Sequence, residues 1–280
     1  LCNPAVMGYY IDAYWTTQAD NGDVSLHTLT NHDYVIQQRG FLWDLSPWGD
    51  ETPVDDPGQP LGTDLNTLER LMLAAATRLP NDEMIHVCGF TPCIWKYCNS
   101  VDAANGNHEG VETEWETVRL LSNYNAFIDA DAIGLSSLAN ASLYSHMPQP
   151  SGFVQPPAPT RMECLANGWI RTDGTVDTRT WIVHYAGDYD SAAWLMSQMP
   201  AKWDHYTRTQ TITPWAWSPI LMRRGMPMFD EYLREATPTD TLWSADNGAG
   251  YLNPTQLFTP RESFLSSGVE RWQRHCARWF

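Results

Sequence analysis

The chain is short of positive charge and has no long apolar run, and each shortage removes a class of function. Lys and Arg total 17 against 33 for Asp and Glu in 280 residues, a formal charge of -16. Such a balance repels nucleic acid phosphates and anionic lipid heads, so nucleic acid is excluded as a partner and neutral or cationic ligands are favoured. No apolar stretch approaches the roughly 20 residues of a spanning helix, which argues against membrane insertion. The start, Leu1-Cys2-Asn3-Pro4, has neither an initiator Met nor a basic-then-apolar leader, and reads as a processed chain or a fragment. His86, His108, His146, His184 and His275 form no His-x-x-x-His pair, and no serine sits in a Gly-x-Ser-x-Gly elbow. Repeats, heptads and low-complexity tracts are also missing, and nothing divides the chain into parts. Residues 1–280 are therefore read as a single domain.

What is abundant is tryptophan, 14 residues, with 12 Tyr and an even set of 6 Cys. Together with low Lys and a glycosylation sequon at Asn140-Ala141-Ser142, this composition fits a secreted, extracellular glycoprotein in which some cysteines pair. Cys88, Cys93 and Cys98 lie close in sequence, but their four-residue gaps and the lack of a nearby fourth thiolate favour structural cysteine over zinc.

Short apolar segments suited to buried strands recur at Gly8 to Tyr14, Phe41 to Leu45, Met84 to Cys88, Ala126 to Ile133, Trp181 to Tyr185, Thr211 to Trp215 and Thr241 to Ser244. Helical stretches alternate with them. Leu68, Leu71, Met72 and Ala75 share one face of Leu65 to Arg78, behind a Thr63 or Asp64 cap. Further helices are predicted at Thr113 to Tyr124, Ser191 to Met199, Met228 to Ala236 and Gly268 to Trp279. Strand and helix alternation calls for a parallel sheet, and this length suggests an α/β fold of the TIM-like β/α barrel type, complete or truncated. The segments after strands are long and rich in Trp, Asp, Pro and Gly, as loops on the C-terminal face of a barrel are. Arg171-Thr172-Asp173-Gly174-Thr175 reads as a hairpin turn within the longest of them.

Carboxylates fall where strands run out: Asp44, Asp129 and Asp131, Asp188 and Asp190, and Asp246. On one rim they would suit glycoside hydrolysis, which needs a protonated acid and an ionised partner. Trp48, Trp95, Trp215 and Trp217 lie among these loops, where aromatic faces would stack on sugar rings. Trp115 and Trp272, at helical spacing among apolar neighbours, are expected in the core. Asp50, Glu51, Asp55 and Asp56, or the acids around Glu114, offer oxygen ligands that would suit calcium, but without a calcium-loop spacing, so no metal site and no cofactor are assigned.

Gly248-Ala249-Gly250-Tyr251-Leu252-Asn253-Pro254 resembles the signature of the glycoside hydrolase family named for its GxGYxYP motif, with Asn253 in place of the second Tyr. Phe41 to Trp48, Pro53 to Pro57, Gly62 to Leu65, His86 to Pro92 and Gly187 to Trp194 also look like family segments in family order. The resemblance implies a glycosidase-like barrel, preceded in typical members by a separate domain that is absent or truncated here. Asp188 and Asp190 match an Asp-Gly-Asp-Asn pattern of the family, with Tyr189 and Ser191 departing from it. Cys93 and Cys98 stand where relatives have other residues, which implies a local disulfide between them.

The combined expectation is a glycoside hydrolase acting on an extracellular saccharide. Asp188 and Asp190 are the catalytic pair, and Asp44, Glu114 and Asp246 are further catalytic candidates. Trp48, Trp95, Trp215 and Trp217 bind the sugar, and Gly248 and Gly250 let the backbone turn so that Tyr251 faces the site. The alternative is a non-catalytic carbohydrate-binding or structural extracellular glycoprotein of the same fold, whose exposed Trp and Tyr serve an assembly interface.

Overall fold

The computed structural model describes residues 32–40, 43, 45–53, 56–80, 83–89, 99, 106–130, 141–149, 156–182, 184–189, 191, 194–195 and 198–279. The expected strand Gly8 to Tyr14 lies outside them, as do Asp44, Trp95, Cys93, Cys98, Asp131, Asn140, Asp190 and the side chain of Asp188.

Helix α1 (His32–Gln37) is followed by α2 (Thr63–Arg78), β1 (Ile85–Cys88), α3 (Gly110–Ser122) and β2 (Ala126–Asp129). Two short helices, α4 (Ala141–Tyr144) and α5 (Arg161–Ala166), precede β3 (Ala186–Tyr189). Then come α6 (Met199–Trp203), β4 (Thr213–Trp217), α7 (Met226–Glu235), β5 (Asp240–Ser244) and α8 (Val269–Cys276). Helix α2 forms as its periodicity predicts, burying Leu68, Met72 and Ala76 along one stripe. Its N-cap is Gly62, in the left-handed region at φ 72, with no side-chain cap. The Asp64 carboxylate is buried and accepts from the Ser46 amide instead.

The predicted barrel is not what forms. Among the described residues the strands make two separate parallel sheets, β1-β2 and β3-β4-β5, and close no barrel. The far edge of β2 shows why the first sheet stops. Ile128 donates to the Tyr251 carbonyl at 2.7 Å and accepts from the Tyr251 amide at 2.8 Å in an antiparallel bridge. The backbone groups that a further parallel strand would need are thereby used.

Each sheet has its own core. Val87, Ala126 and Ile128 pack with α2 and α3 through Leu68, Met72 and Leu121. Trp215 and Trp217 of β4 pack with α6 and α7 through Met199, Trp203, Phe229 and Tyr232. A third cluster joins the sheets: Phe127, on the opposite face of β2, meets Ile220 from beyond β4, Ala249 and Leu252 from beyond β5, and Trp272 of α8.

Two tryptophans of α3 and α8 part company. Trp272 is buried as expected, but Trp115 is 62% exposed. Helix α3 turns Thr113, Thr117, Leu120 and Leu121 inward, and Trp115 stands roughly 200° around the axis from Thr113 at 3.6 residues per turn.

Candidate active site at the strand ends

In an extended strand, alternate residues point the same way. Ile85 and Val87 enter the first core, so His86 and Cys88 face the opposite side. The parallel register sets Cys88 against Asp129 and His86 against Phe127. The ends of both strands thus present a thiol, an imidazole and a carboxylate on one face.

These groups touch. His86 Nε2 lies 3.2 Å from Asp129 Oδ2 and 3.7 Å from Cys88 Sγ, and the Phe127 ring stacks on the imidazole at 4.9 Å. Arg224 closes the cluster from the other sheet: it follows the 3-10 turn Pro219–Arg223 beyond β4, and donates through Nε (3.0 Å) and Nη2 (2.6 Å) to the two oxygens of Asp129. Asp129 and Arg224 side chains are each 1% exposed, and His86 is 19% exposed. The ion pair, with the Tyr251 bridge, joins the C-terminal ends of β2, β4 and β5 at one rim. In open α/β sheets that end is where ligands bind.

Charge at the cluster follows from its neighbours. Burial opposes a charge on Asp129, but the Arg224 guanidinium and His86 outweigh it and hold the carboxyl well below the usual carboxylate range. Burial likewise opposes the imidazolium of His86, but the Cys88 sulfur and the Asp129 hydrogen bond prevail and push it up to about 9. Near neutral pH the carboxylate is ionised and the imidazole carries the proton. A group that donates a proton here is His86, not Asp129.

The sequence-predicted residues scatter. Trp48 lies near the start of α3: its ring stacks on His108 at 3.6 Å and its Nε1 donates to Thr113. Glu114 is exposed on α3, and Asp246, half-buried, occupies a left-handed turn after β5 at φ 55. Asp188 is the penultimate backbone position of β3. Trp215 and Trp217 are 4% and 3% exposed, their rings against Trp203, Phe229 and Tyr232, and Trp215 Nε1 bonds Asp240. Both rings fill the second core and leave no open face for a sugar.

The glycines serve close packing. Gly248 and Gly250 have φ of 138 and 117. A Cβ on Gly248 would meet Cys276 Sγ at 2.7 Å, and one on Gly250 would run into the Phe127 ring. Tyr251 is half-buried against the first core, its backbone bound to Ile128. His275 stacks on Trp272 and bonds the Ala249 carbonyl at 2.8 Å. Burial pushes His275 down to about 4, so it is neutral and the donor in that bond.

Sequence spacing gives His86 no ligand partner and Cys88 a structural role, and nothing in the sequence singles out Arg224. The signal within reach was His-x-Cys at the end of one apolar strand beside Asp129 at the end of another.

The structure is thus an α/β fold with a charged cluster at the C-terminal ends of parallel strands. Residues 179–273 match the family model described as the GxGYxYP putative glycoside hydrolase C-terminal domain, a span that holds β3, β4, β5 and the Gly248 to Pro254 motif. The chain is similar at 16% identity and a TM-score of 0.43 to a solved structure described as a putative hydrolase from Bacteroides thetaiotaomicron, over 59% of this chain and 28% of that one. No curated protein matches the chain. Among the described residues no helix is long and apolar enough to cross a membrane.

Proposed function

We propose that this chain takes part in cleaving a glycosidic bond at the rim where the C-terminal ends of the two sheets meet. The observation that carries the reading is the family match over residues 179–273, whose Gly248 to Tyr251 turn packs directly on β2 beside Asp129. Asp188 and Asp190, two residues apart in the sequence, are the carboxylate pair: one protonates the leaving oxygen, the other attacks or activates water. Asp246, beyond β5, is a further carboxylate at the same rim. Asp129 has a different task, since Arg224 engages both its oxygens; it holds His86 and Arg224 in place. The chain's formal charge of -16 disfavours uronate or sulfated polymers, so the substrate is a neutral or cationic saccharide. The protein works outside the cell, with a Cys93 to Cys98 disulfide and with Asn140 glycosylated only where the producing cell modifies such sequons and the site is exposed.

The test is release of reducing sugar from a panel of neutral and amino-sugar oligosaccharides. Asp190→Asn and Asp188→Asn are expected to lower the rate by at least about 100-fold while melting stays unchanged. Saccharide binding with no turnover by the unaltered protein would identify a binding module instead.

A further inference from the structure

The face of the first sheet that carries Asp129 also carries the other two donors that a transition metal takes. We propose that His86, Cys88 and Asp129 form a zinc-type cation site with its fourth position open at the rim. The backbone builds the arrangement. His86 and Cys88 are two apart on β1 and share a face, and the parallel register places Asp129 directly beside Cys88.

Their donor atoms all lie within 4.8 Å of one another. A tetrahedral zinc ion keeps its nitrogen and oxygen ligands at about 2.0–2.2 Å and sulfur at about 2.3 Å, so neighbouring ligand atoms stand roughly 3.3–3.7 Å apart. The Nε2 to Oδ2 and Sγ to Nε2 separations, 3.2 and 3.7 Å, fit such a tetrahedron's edges closely.

The chemistry of the donors selects the ion. A thiolate with an imidazole favours zinc and its neighbours over calcium or magnesium, which take oxygen. Thiolate and carboxylate together balance a divalent charge. On binding, the ion replaces the proton between His86 Nε2 and Asp129, and the thiol proton leaves to solvent. The outer supports are already in place: Arg224 fixes the carboxylate through both oxygens, each with a lone pair left, and Phe127 fixes the imidazole plane. Three protein ligands and partial exposure are the pattern of a site that leaves room for water or substrate.

Cobalt(II) added to chelator-treated full-length protein tests this directly, because cobalt reports both a thiolate bond and its geometry. The expected result is one cobalt per chain, a near-ultraviolet sulfur charge-transfer band and intense visible bands of a four-coordinate ion, all displaced by zinc. Cys88→Ser should abolish the charge-transfer band and His86→Gln should weaken binding about 10- to 100-fold, with circular dichroism confirming that both variants fold. A chain with Cys2, Cys93, Cys98, Cys164 and Cys276 all changed to Ser should keep the band. Failure to bind cobalt stoichiometrically, absence of the band, or its survival in Cys88→Ser would overturn the site.

Discussion

The two sheets bury opposite kinds of side chain at corresponding places. At the end of β2 the buried group is a carboxylate gripped by an arginine from the other sheet, with an imidazole and a thiol beside it. At the end of β4 it is Trp217, packed edge-on to Phe229 within a cluster of aromatic rings. The first arrangement retains charge that only its partners make tolerable; the second removes apolar surface from water and leaves the Trp217 indole N–H buried with no partner among the described residues. The tryptophans of β4 therefore serve the core, and the polar cluster marks the place equipped for chemistry.

Breaking each region by its own logic gives the largest effects. Arg224→Ala leaves Asp129 buried and uncompensated and should cost about 3–5 kcal/mol in urea denaturation. Replacing the pair together, Arg224→Met with Asp129→Leu, should restore most of that loss. Trp217→Ala should cost a similar amount, about 3–5 kcal/mol, through the cavity it leaves, and no change at Asp129 should offset it. Additive losses for Arg224→Ala and Trp217→Ala would support two separate cores; strong coupling would merge them.

The contact between the sheets carries a pH signature. His275 is neutral when folded, at about 4, against an ordinary value near 6.5. Protons bind the unfolded chain first, so stability is full above pH 6.5, falls as pH drops toward 4, and loses about 3 kcal/mol in all from this group. His275→Gln should flatten that part of the melting profile. A smaller effect belongs to Gly250→Ala, where left-handed φ and the Phe127 ring together should cost about 1–3 kcal/mol. Smallest of all, Trp115→Ala on the exposed face of α3 should change stability by no more than about 0.5 kcal/mol.

Local pattern carried helices α2, α3, α7 and α8 and most of the described strands, because periodicity and apolar runs are local causes; the short helices α1, α4, α5 and α6 are not predicted by it, and the expected helix Ser191 to Met199 lies partly outside the described residues. β1, β2, β4 and β5 lie where apolar segments predict them, whereas β3 begins at Ala186, after the expected Trp181 to Tyr185. That segment is exposed at Trp181, Ile182 and Tyr185, and the small Ala186 instead pairs with Trp215. Whether strands close into a barrel depends on distant pairing, and the bridge of Ile128 to Tyr251 leaves no local mark. The Asp129 and Arg224 partners are 95 residues apart, so Asp129 is visible at a strand end while its guanidinium is not. Nor does composition separate a tryptophan that lines a core from one that faces a sugar; β4 buries two of them.

The proposed function requires a saccharide to be held at the rim joining the two sheets. A crystal structure of the protein soaked with a neutral oligosaccharide that it cleaves or binds measures this most directly. The predicted result is a sugar ring at the C-terminal ends of β2, β3 and β5, within contact of His86 or of the Asp188 to Asp190 segment. A ring bound at the opposite ends of the strands, or only against the exposed face of α3, would contradict it.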